Sequence, residues 1–440
     1  MDTLFSHVAA VLMDDAGTIL TDAYVQVSGK QIVFVGQERP EPFEGREIDG
    51  TGKVLMPGLV NAHTHVPMTL MRGYADGYDL QTWLNDYIFP AEARLDARAV
   101  RAGTALGLAE MIASGIASFS DMYYFCDEIV EETLKAGLCA NISRGTTQFS
   151  PGFDPEKSKA CQEMRALVSR WHGYGDGQIQ VDVSIHGEYT SYDRVWRYLA
   201  DYAMEHRLGM HVHCSETKQE HEGSLERNGK TPAQALDECG VWNTRAVAAH
   251  CVWAEPEDIA LFARRGVTVA HNPVSNLKLG SGVAPVPAFL QAGVNVALGT
   301  DGVSSNNSHD LLEEVKLAAI LHKGTTQSPQ AVSPLEALKM ATVNGARAQG
   351  RNSGRIAVGC DASLILLDFR RPHLIPCHDV ASNVVYAARG NDVVMNMVRG
   401  TIIYENGTFH TIDLEQVVWE VEHYATKTVF GASGWSLLKR

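Results

Sequence analysis

The chain has 440 residues, 45% of them hydrophobic and 20% charged, a composition typical of a soluble globular protein with a sizeable core. Its 37 Lys and Arg residues against 52 Asp and Glu residues leave a formal net charge of -15, which disfavours nucleic acid and anionic membranes as partners. Its 8 cysteines form no C-x-x-C pair, and no apolar run approaches the roughly 18 residues of a membrane helix, so we expect a cytoplasmic protein with reduced thiols.

Both ends of the chain carry a β-rich pattern. From Val8 to about Ile48, the runs VAAVLM, YVQVSG and KQIVFVG alternate with Gly and Asp turns, which predicts antiparallel strands. The same texture returns after Gly354 in ASLILLD, NVVYAA and DVVMNMVRGTIIYENGTF, and the stretch from about Leu414 to Ala425 has a helical pattern. Two β-rich ends around a different middle indicate one small domain that both termini build.

The middle of the chain repeats a strand followed by a helix. Apolar strands are predicted in VLMPGLVNAH, GIASFSDM, LCANISRG, IQVDVSIHG, LGMHVHCSE, AVAAHC, VTVAHN and VNVALGTD. About eight such units predict an α/β fold, a (β/α)₈ TIM barrel with a small β-sandwich domain from both termini. A doubly wound sheet is the alternative, but no G-x-G-x-x-G follows the first strand. We therefore predict a sandwich part at 1–55, the barrel at 56–353, and the second sandwich part with a terminal helix at 354–440.

Ionisable side chains end successive predicted strands of the barrel, where barrel enzymes place their chemistry. In chain order these residues are His63 and His65, His186, His213 with Glu216, His250, and Asp301. His63 and His65 lie two residues apart, so a strand points both to the same face. Buried core histidines would explain one or two such strand ends but not the whole series, which predicts a metal site.

Histidine and carboxylate ligands with an open coordination position suit Zn²⁺, Fe²⁺ or Mn²⁺. Such an ion lowers the pKa of its bound water towards 7 and provides a nucleophile at neutral pH. A second ion would call for a bridging carboxylated lysine at the end of the fourth strand, but no lysine occurs between Lys159 and Lys218. We therefore expect one divalent ion, zinc first, with Glu188 as the residue that could bridge a second.

Five segments resemble the amidohydrolase superfamily, namely PGLVNAHTH, HVHCSE, AHCVWAEPED, VAHNPVSNLKLGSGVAPV and LGTDGVSSNNSHDLLEEVKLA. More narrowly, they are similar to its branch of 5'-methylthioadenosine/S-adenosylhomocysteine deaminases, which is related to cytosine and guanine deaminases and to triazine hydrolases. The resemblance covers essentially the whole chain. It implies a metal-dependent hydrolase that converts S-adenosylhomocysteine or 5'-methylthioadenosine to the inosyl product and ammonia.

The resemblance also implies a role for each residue at the strand ends. The metal ligands would be His63, His65, His213 and Asp301. Glu216 would carry a proton from the water to the purine ring nitrogen, and His250 would hydrogen-bond the attacking hydroxide. Asp301 would in addition pass the second proton to the departing ammonia.

Besides Glu216 and Asp301, four residues are implied in binding the nucleoside. In the long segment after the H-x-H strand, Trp83 would pack on the ligand and Glu92 would accept hydrogen bonds from both ribose hydroxyls. Arg144, at the end of the third strand, would meet the carboxylate of a homocysteine tail, and His186 would lie near the purine and ribose. The structural alternatives are a surface pair of Glu92 with Arg94 and an ion pair of Arg144.

Two other functions are compatible with the same residues. One is an amidohydrolase that acts on another heterocycle, such as 5'-deoxyadenosine, guanine, cytosine or a triazine. The other is a metal-free barrel that serves in binding or assembly. As partners we expect a small purine nucleoside, no nucleic acid and no membrane, and a homo-oligomer, since oligomers are common among soluble enzymes.

Overall fold

A computed structural model describes residues 2–431 of the chain. Its strands are β1 Thr3–Val11, β2 Ile19–Ser28, β3 Gln31–Gly36, β4 Arg46–Asp49, β5 Lys53–Pro57, β6 Leu59–Thr64, β7 Ile116–Tyr123, β8 Cys139–Thr146, β9 Ile179–Gly187, β10 Met210–Cys214, β11 Ala246–His250, β12 Thr268–His271, β13 Asn295–Leu298, β14 Leu364–Asp368, β15 Val393–Val398, β16 Thr401–Glu405 and β17 Thr408–Phe409. The longer helices are Ala97–Ala113, Cys126–Ala136, Lys159–Trp171, Asp193–Glu205, Lys218–Asn228, Pro256–Arg265 and Leu311–Thr326. Shorter helices are Leu80–Thr82, Phe89–Glu92, Pro232–Glu238, Pro273–Lys278, Val286–Gln291, Val303–Asn306, Pro334–Met340, Val343–Gln349, Val380–Tyr386, Leu414–Glu420 and Thr426–Phe430, with π-helical segments at Trp83–Ile88 and Val421–Ala425.

The eight strands β6 to β13 form the predicted barrel. They are parallel and pair in chain order, from β6 through β7 to β13. Every residue of β10 and β11 is buried, because helices cover the outside of the barrel while side chains fill its interior. Burial on both faces explains why these strands appear as continuous apolar runs in the sequence. The predicted (β/α)₈ fold class is confirmed.

The first and last barrel strands meet at a seam. Here the backbone N–H of Asp301 donates to the carbonyl oxygen of His63 at 3.0 Å. Beside it, Asn61 Nδ2 donates to Thr300 Oγ1 at 2.7 Å, and Asn61 Oδ1 accepts from the Thr300 N–H at 3.1 Å. These contacts bring two of the predicted metal ligands, His63 and Asp301, onto adjacent strand ends.

A second sheet is built from both ends of the chain, as predicted. Its order is β17-β16-β15-β14-β5-β1-β2-β3, with β4 pairing with β1. The predicted strand VLMPGLVNAH divides at Gly58 into β5, which joins this sheet, and β6, which begins the barrel. A Cβ atom at Gly58 would lie 2.5 Å from the Cβ of Ala117, so the crossing between the two sheets has no room for a side chain.

One predicted strand is wrong. The run NVVYAA lies in and just after the helix Val380–Tyr386, where Asp379 caps the first turn by accepting the N–H of Ser382 at 2.6 Å. Val384 and Val385 are buried on one face of this helix. Capping and burial of one helical face therefore outweigh the β propensity of the paired valines.

The domain boundaries 1–55, 56–353 and 354–440 stay a prediction. Residues 1 and 432–440, which those ranges include, lie outside the described residues. The helical pattern predicted from about Leu414 is present, since the helix Leu414–Glu420 continues through Val421–Ala425 to Phe430. Across residues 2–431, no helix is both long and apolar enough to cross a membrane.

Candidate active site

Four predicted ligands meet at the carboxyl ends of the barrel strands. His63 lies in β6, His65 follows it, His213 lies in β10, and Asp301 follows β13. Asp301 Oδ1 lies 3.4 Å from His63 Nε2 and 3.2 Å from His65 Nε2, and the Nε2 atoms of His65 and His213 are 3.3 Å apart. Donors bound tetrahedrally at about 2.1 Å to one ion would be about 3.4 Å apart, so these spacings suit a single cation.

The donor atoms also have the protonation pattern that a cation needs. His65 Nδ1 lies 2.6 Å from the carbonyl oxygen of Met122, and His213 Nδ1 lies 2.5 Å from that of His186. Each Nδ1–H therefore donates to a carbonyl, which leaves the Nε2 lone pair free for a metal. His63 Nε2 is buried without a hydrogen-bond partner among residues 2–431. These residues fit a divalent metal ion.

Asp301 presents one oxygen to this centre and anchors the other. Its Oδ2 accepts from Ser275 Oγ at 2.7 Å and from Ser305 Oγ at 2.9 Å. Burial would raise the pKa of Asp301, but the neighbouring His63 and His65 hold it well below its ordinary value. Asp301 is therefore an ionised carboxylate with its Oδ1 directed towards the histidines.

Glu216 and His250 face each other beside the ligands, and both are buried. Glu216 Oε2 lies 3.8 Å from His250 Nε2. The Nδ1–H of His250 donates to Asn276 Oδ1 at 2.8 Å, which leaves its Nε2 as an acceptor towards the site. Burial raises the pKa of Glu216, and His250 opposes this shift. Glu216 is thus a carboxyl beside the ligands whose pKa moves towards the range of general acid–base catalysis.

The loop that carries Glu216 is held from behind by Glu220. Glu220 is buried, and its Oε1 and Oε2 accept the backbone N–H groups of Ser215 at 3.0 Å and Glu216 at 2.7 Å. Ser215 has φ +49°, a left-handed conformation that is uncommon for a residue with a side chain. The two hydrogen bonds therefore stabilise the turn that directs Glu216 back into the barrel.

An inner cavity opens above the metal ligands and contains most of the predicted substrate residues. Trp83, Glu92, His186, Glu216 and Asp301 all line it. Burial raises the pKa of Glu92 to about 7. The Tyr123 hydroxyl group and the charge of His65 oppose this shift but are smaller effects. The alternative pair of Glu92 with Arg94 is absent among the described residues, since Arg94 Nε donates to the carbonyl oxygen of Val429 at 2.6 Å.

Arg144 does not line the inner cavity. It lies in an adjoining outer cavity of ≈ 630 Å³, which shares the walls Phe89, Glu92 and Tyr124 with the inner one. Its Nε donates to Glu163 Oε2 at 2.6 Å, and its guanidinium lies 4.7 Å from the centre of the Tyr124 ring. The ion pair considered as an alternative is therefore present, at the wall of a cavity that shares three lining residues with the inner one.

Glu188, the residue considered as a bridge to a second ion, is engaged elsewhere. It forms an ion pair with Arg227 and accepts from Asn228 Nδ2 at 2.8 Å. In the described part of the chain, one group of side chains has the spacing of a metal site, and it contains three predicted ligands, His63, His213 and Asp301, with His250 in place of His65. The expectation of one cation thus agrees with the arrangement of the side chains.

Several residues of the site were not predicted from the sequence. His211 contacts His63 Nδ1 at 2.8 Å. Its position two residues before His213 was a usable signal, because alternate residues of a strand share a face. Asn276, Ser275 and Glu220 carried no such signal, since they lie in helices and their roles depend on how those helices pack against the strand ends.

Comparison with known proteins places these features in context. A sequence profile of the Amidohydrolase family matches residues 54–403. The 5-methylthioadenosine/S-adenosylhomocysteine deaminase of Thermoanaerobacter pseudethanolicus is 39% identical and covers 98% of this chain and 100% of its own length. The 5'-deoxyadenosine deaminase of Methanosarcina acetivorans is 41% identical, with 98% and 99% covered. A zinc-bound adenosine deaminase from Xanthomonas campestris superposes with a TM-score of 0.92 at 32% identity, covering 97% of this chain and 98% of that one.

Proposed function

The chain belongs to the amidohydrolase family, and from this premise we propose that it deaminates adenosine nucleosides that carry a thioether at the 5' position. The relatives from Thermoanaerobacter pseudethanolicus and Methanosarcina acetivorans are named as deaminases of adenosine-type nucleosides. Each of them covers nearly the whole chain. Hydrolytic deamination of an adenosine-type nucleoside is therefore the activity of this enzyme, and the metal-free binding barrel is dropped as an alternative. The proposed substrates are S-adenosylhomocysteine and 5'-methylthioadenosine, which give the inosyl product and ammonia.

We assign the metal to His63, His65, His213 and Asp301. Their donor spacing and the free Nε2 lone pairs support this ligand set. Zinc is the proposed ion, because the structurally similar adenosine deaminase was solved with zinc, and Fe²⁺ and Mn²⁺ are the alternatives. When bound, the ion supplies Lewis-acid chemistry that lowers the pKa of a coordinated water.

The side chains around this position divide the proton transfers. Glu216 accepts a proton from the attacking water and delivers it to the ring nitrogen beside the amine-bearing carbon, a role that suits a carboxyl with a raised pKa. His250 accepts a hydrogen bond from the attacking oxygen through Nε2, since Asn276 holds its Nδ1–H. Asp301 Oδ1 takes the remaining proton and passes it to the amine, which leaves as ammonia.

Recognition of the nucleoside is assigned to the walls of the inner cavity. Trp83 packs on the ligand, Glu92 accepts the two ribose hydroxyls, and His186 lies near the purine and the ribose. The outer cavity takes the 5' substituent, and Arg144 on its wall pairs with the carboxylate of a homocysteine tail. The observation that favours thioether substrates is this outer cavity of ≈ 630 Å³, which 5'-deoxyadenosine has no substituent to enter.

5'-Deoxyadenosine is the second candidate substrate. The relative from Methanosarcina acetivorans is named for it, and the contact of Arg144 with Glu163 favours it. An Arg144 side chain that is already paired with a carboxylate has less capacity for the carboxylate of a substrate. The two candidates therefore differ in what they require of Arg144.

An ammonia-release assay separates these candidates. Metal-loaded enzyme is compared on S-adenosylhomocysteine, 5'-methylthioadenosine, 5'-deoxyadenosine, guanine, cytosine and a triazine. We expect the thioethers to have the highest kcat/KM, and Arg144→Gln to lower kcat/KM for S-adenosylhomocysteine alone. Arg170→Gln is the matched control, because Arg170 is exposed on the helix Lys159–Trp171 outside both cavities.

Two outcomes would contradict the assignment. A higher kcat/KM for 5'-deoxyadenosine, with Arg144→Gln affecting all nucleosides alike, would favour the second candidate. Ammonia release from guanine, cytosine or the triazine, with none from any adenosine nucleoside, would reject the nucleoside specificity altogether.

A further inference from the structure

Tyr123 has a buried hydroxyl group that no well-aligned hydrogen bond satisfies within the described part of the chain. It is the last residue of β7, and its ring lines the inner cavity together with Glu92 and Trp83. Tyr123 is only 4% exposed, and its Oη atom has no well-aligned hydrogen-bond partner among residues 2–431, although the Glu92 carboxyl group lies close enough to shift its pKa. Buried tyrosine hydroxyls almost always have a partner, so the missing one is expected to come from a ligand.

The neighbour of Tyr123 in this cavity is Glu92. Burial and the carboxyl group of Glu92 raise the pKa of Tyr123 well above its ordinary value, so the phenol stays protonated and can donate one hydrogen bond. An ionised Glu92 can only accept hydrogen bonds. One wall of the cavity therefore presents a donor and an acceptor side by side.

A sugar with two adjacent hydroxyls matches this pair of groups. Each hydroxyl has one hydrogen to donate and an oxygen that can accept. A carboxylate alone satisfies the two hydrogens but leaves both oxygens without a donor. A neighbouring phenol supplies that donor from the protein.

We propose that Tyr123 is a specificity-determining residue, whose hydroxyl donates to one oxygen of the ribose diol while the diol donates to Glu92. This inference rests on the proposed function, which assigns the diol to Glu92. When the bound nucleoside lacks the contacted hydroxyl, the Tyr123 phenol has no more hydrogen bonds than it has in the ligand-free protein. Sites built to pair with a polar substrate group discriminate strongly against analogues that lack it.

The test compares wild type with Tyr123→Phe on 5'-methylthioadenosine and on its 2'-deoxy and 3'-deoxy forms. The substitution removes one oxygen that has no well-aligned partner among residues 2–431, so the internal contact it removes is at most a weak one with Glu92. For the riboside we expect KM to rise about tenfold, with kcat within about threefold of wild type. For the one deoxy form that lacks the contacted hydroxyl, we expect no change in KM.

Controls separate recognition from folding. Tyr174→Phe is the matched variant, because Tyr174 is 51% exposed and lines neither cavity. The midpoint of thermal unfolding and the metal content of Tyr123→Phe should equal those of wild type. If the variant is unstable, Tyr123→Met keeps a buried apolar side chain and should give the same dependence on the substrate.

The outcomes are distinguishable. An equal effect of Tyr123→Phe on the riboside and both deoxy forms, or no effect on any of them, would overturn the role of Tyr123 while wild-type activity on the riboside supports the proposed function. Absence of wild-type activity on every riboside would overturn the proposed function and this inference together.

Discussion

Replacing Glu220 by Gln is expected to lower kcat without removing the metal. The carboxylate of Glu220 accepts two backbone N–H groups, from Ser215 at 3.0 Å and from Glu216 at 2.7 Å, at a buried position. A glutamine keeps one oxygen acceptor and sets its NH₂ group against the other N–H. One buried hydrogen bond is then lost and two donors face each other.

The size of the effect follows from the cost of an unpaired buried donor. Such a group costs about 1–3 kcal/mol, and Ser215 at φ +49° already has an unfavourable backbone conformation that these bonds stabilise. Because about 1.4 kcal/mol corresponds to a factor of ten in rate, we expect kcat to fall about 10- to 100-fold as Glu216 spends less time in position. KM should change little, since Glu220 does not line the inner cavity.

The assay is steady-state ammonia release from 5'-methylthioadenosine, with the metal content measured on the same samples. Glu222→Gln is the control, because Glu222 lies on the same helix and, among residues 2–431, its exposed side chain pairs only with Lys218 at 3.4 Å. A kcat within twofold of wild type would refute the reasoning. A loss of activity in proportion to lost metal would also refute it, since it would place Glu220 in support of the ligands instead of Glu216.

Three further predictions follow from the site. Glu216→Gln should lower kcat by about 10²- to 10⁴-fold with a full metal content, because Glu216 transfers protons and is not in the ligand set. Treatment with a chelator should abolish activity and lower the midpoint of thermal unfolding, and added Zn²⁺ should restore both, because an ion that binds only the folded state stabilises it. Because burial raises the pKa of Glu92 to about 7, KM for a riboside should rise as the pH falls below 7, up to tenfold per unit, since protonation removes an acceptor for the diol. Glu92→Gln should remove that dependence.

Each of these predictions has a result that contradicts it. Glu216→Gln with more than a tenth of the wild-type kcat would exclude the proton-shuttle role. An unchanged unfolding midpoint after complete removal of the ion would mean that its ligands do not support the fold. A riboside KM that is constant between pH 6 and 8 would mean that Glu92 does not bind the diol.

The residues at the barrel strand ends could be predicted because two signals coincide there. A buried barrel strand appears in the sequence as an apolar run. The run stops at an ionisable residue, such as His213 or His250, at the carboxyl end of the strand, where barrel enzymes place their active sites. Chain order is also spatial order around a barrel, so successive strand ends must converge on one face. The same reasoning reaches Asp301, even though it comes from the far end of the barrel.

The residues that orient those side chains could not be predicted in this way. Asn276, which holds His250, comes from the helix Pro273–Lys278 after β12, and its role depends on how that helix packs against the end of β11. Arg144 lies near the end of its strand as expected. The orientation of its guanidinium group, however, depends on its contact with Glu163 on the helix Lys159–Trp171. Tyr123 looks like an ordinary β-strand aromatic in the sequence, and only the burial of its unpaired hydroxyl marks it as a recognition group.

With the proposed ligand set, the seam of the barrel would couple binding of the cation to closure of the barrel. Asn61 and Thr300 are hydrogen-bonded although 239 residues separate them, and a contact this distant in the chain forms late because the intervening loop is costly to close. His63 in β6 and Asp301 after β13 lie on the first and last barrel strands, which must pair to close the barrel. A nascent chain can therefore hold no complete coordination sphere until β13 has emerged and docked. An ion held by the proposed ligands His63 and Asp301 would bridge this junction between the first and last barrel strands.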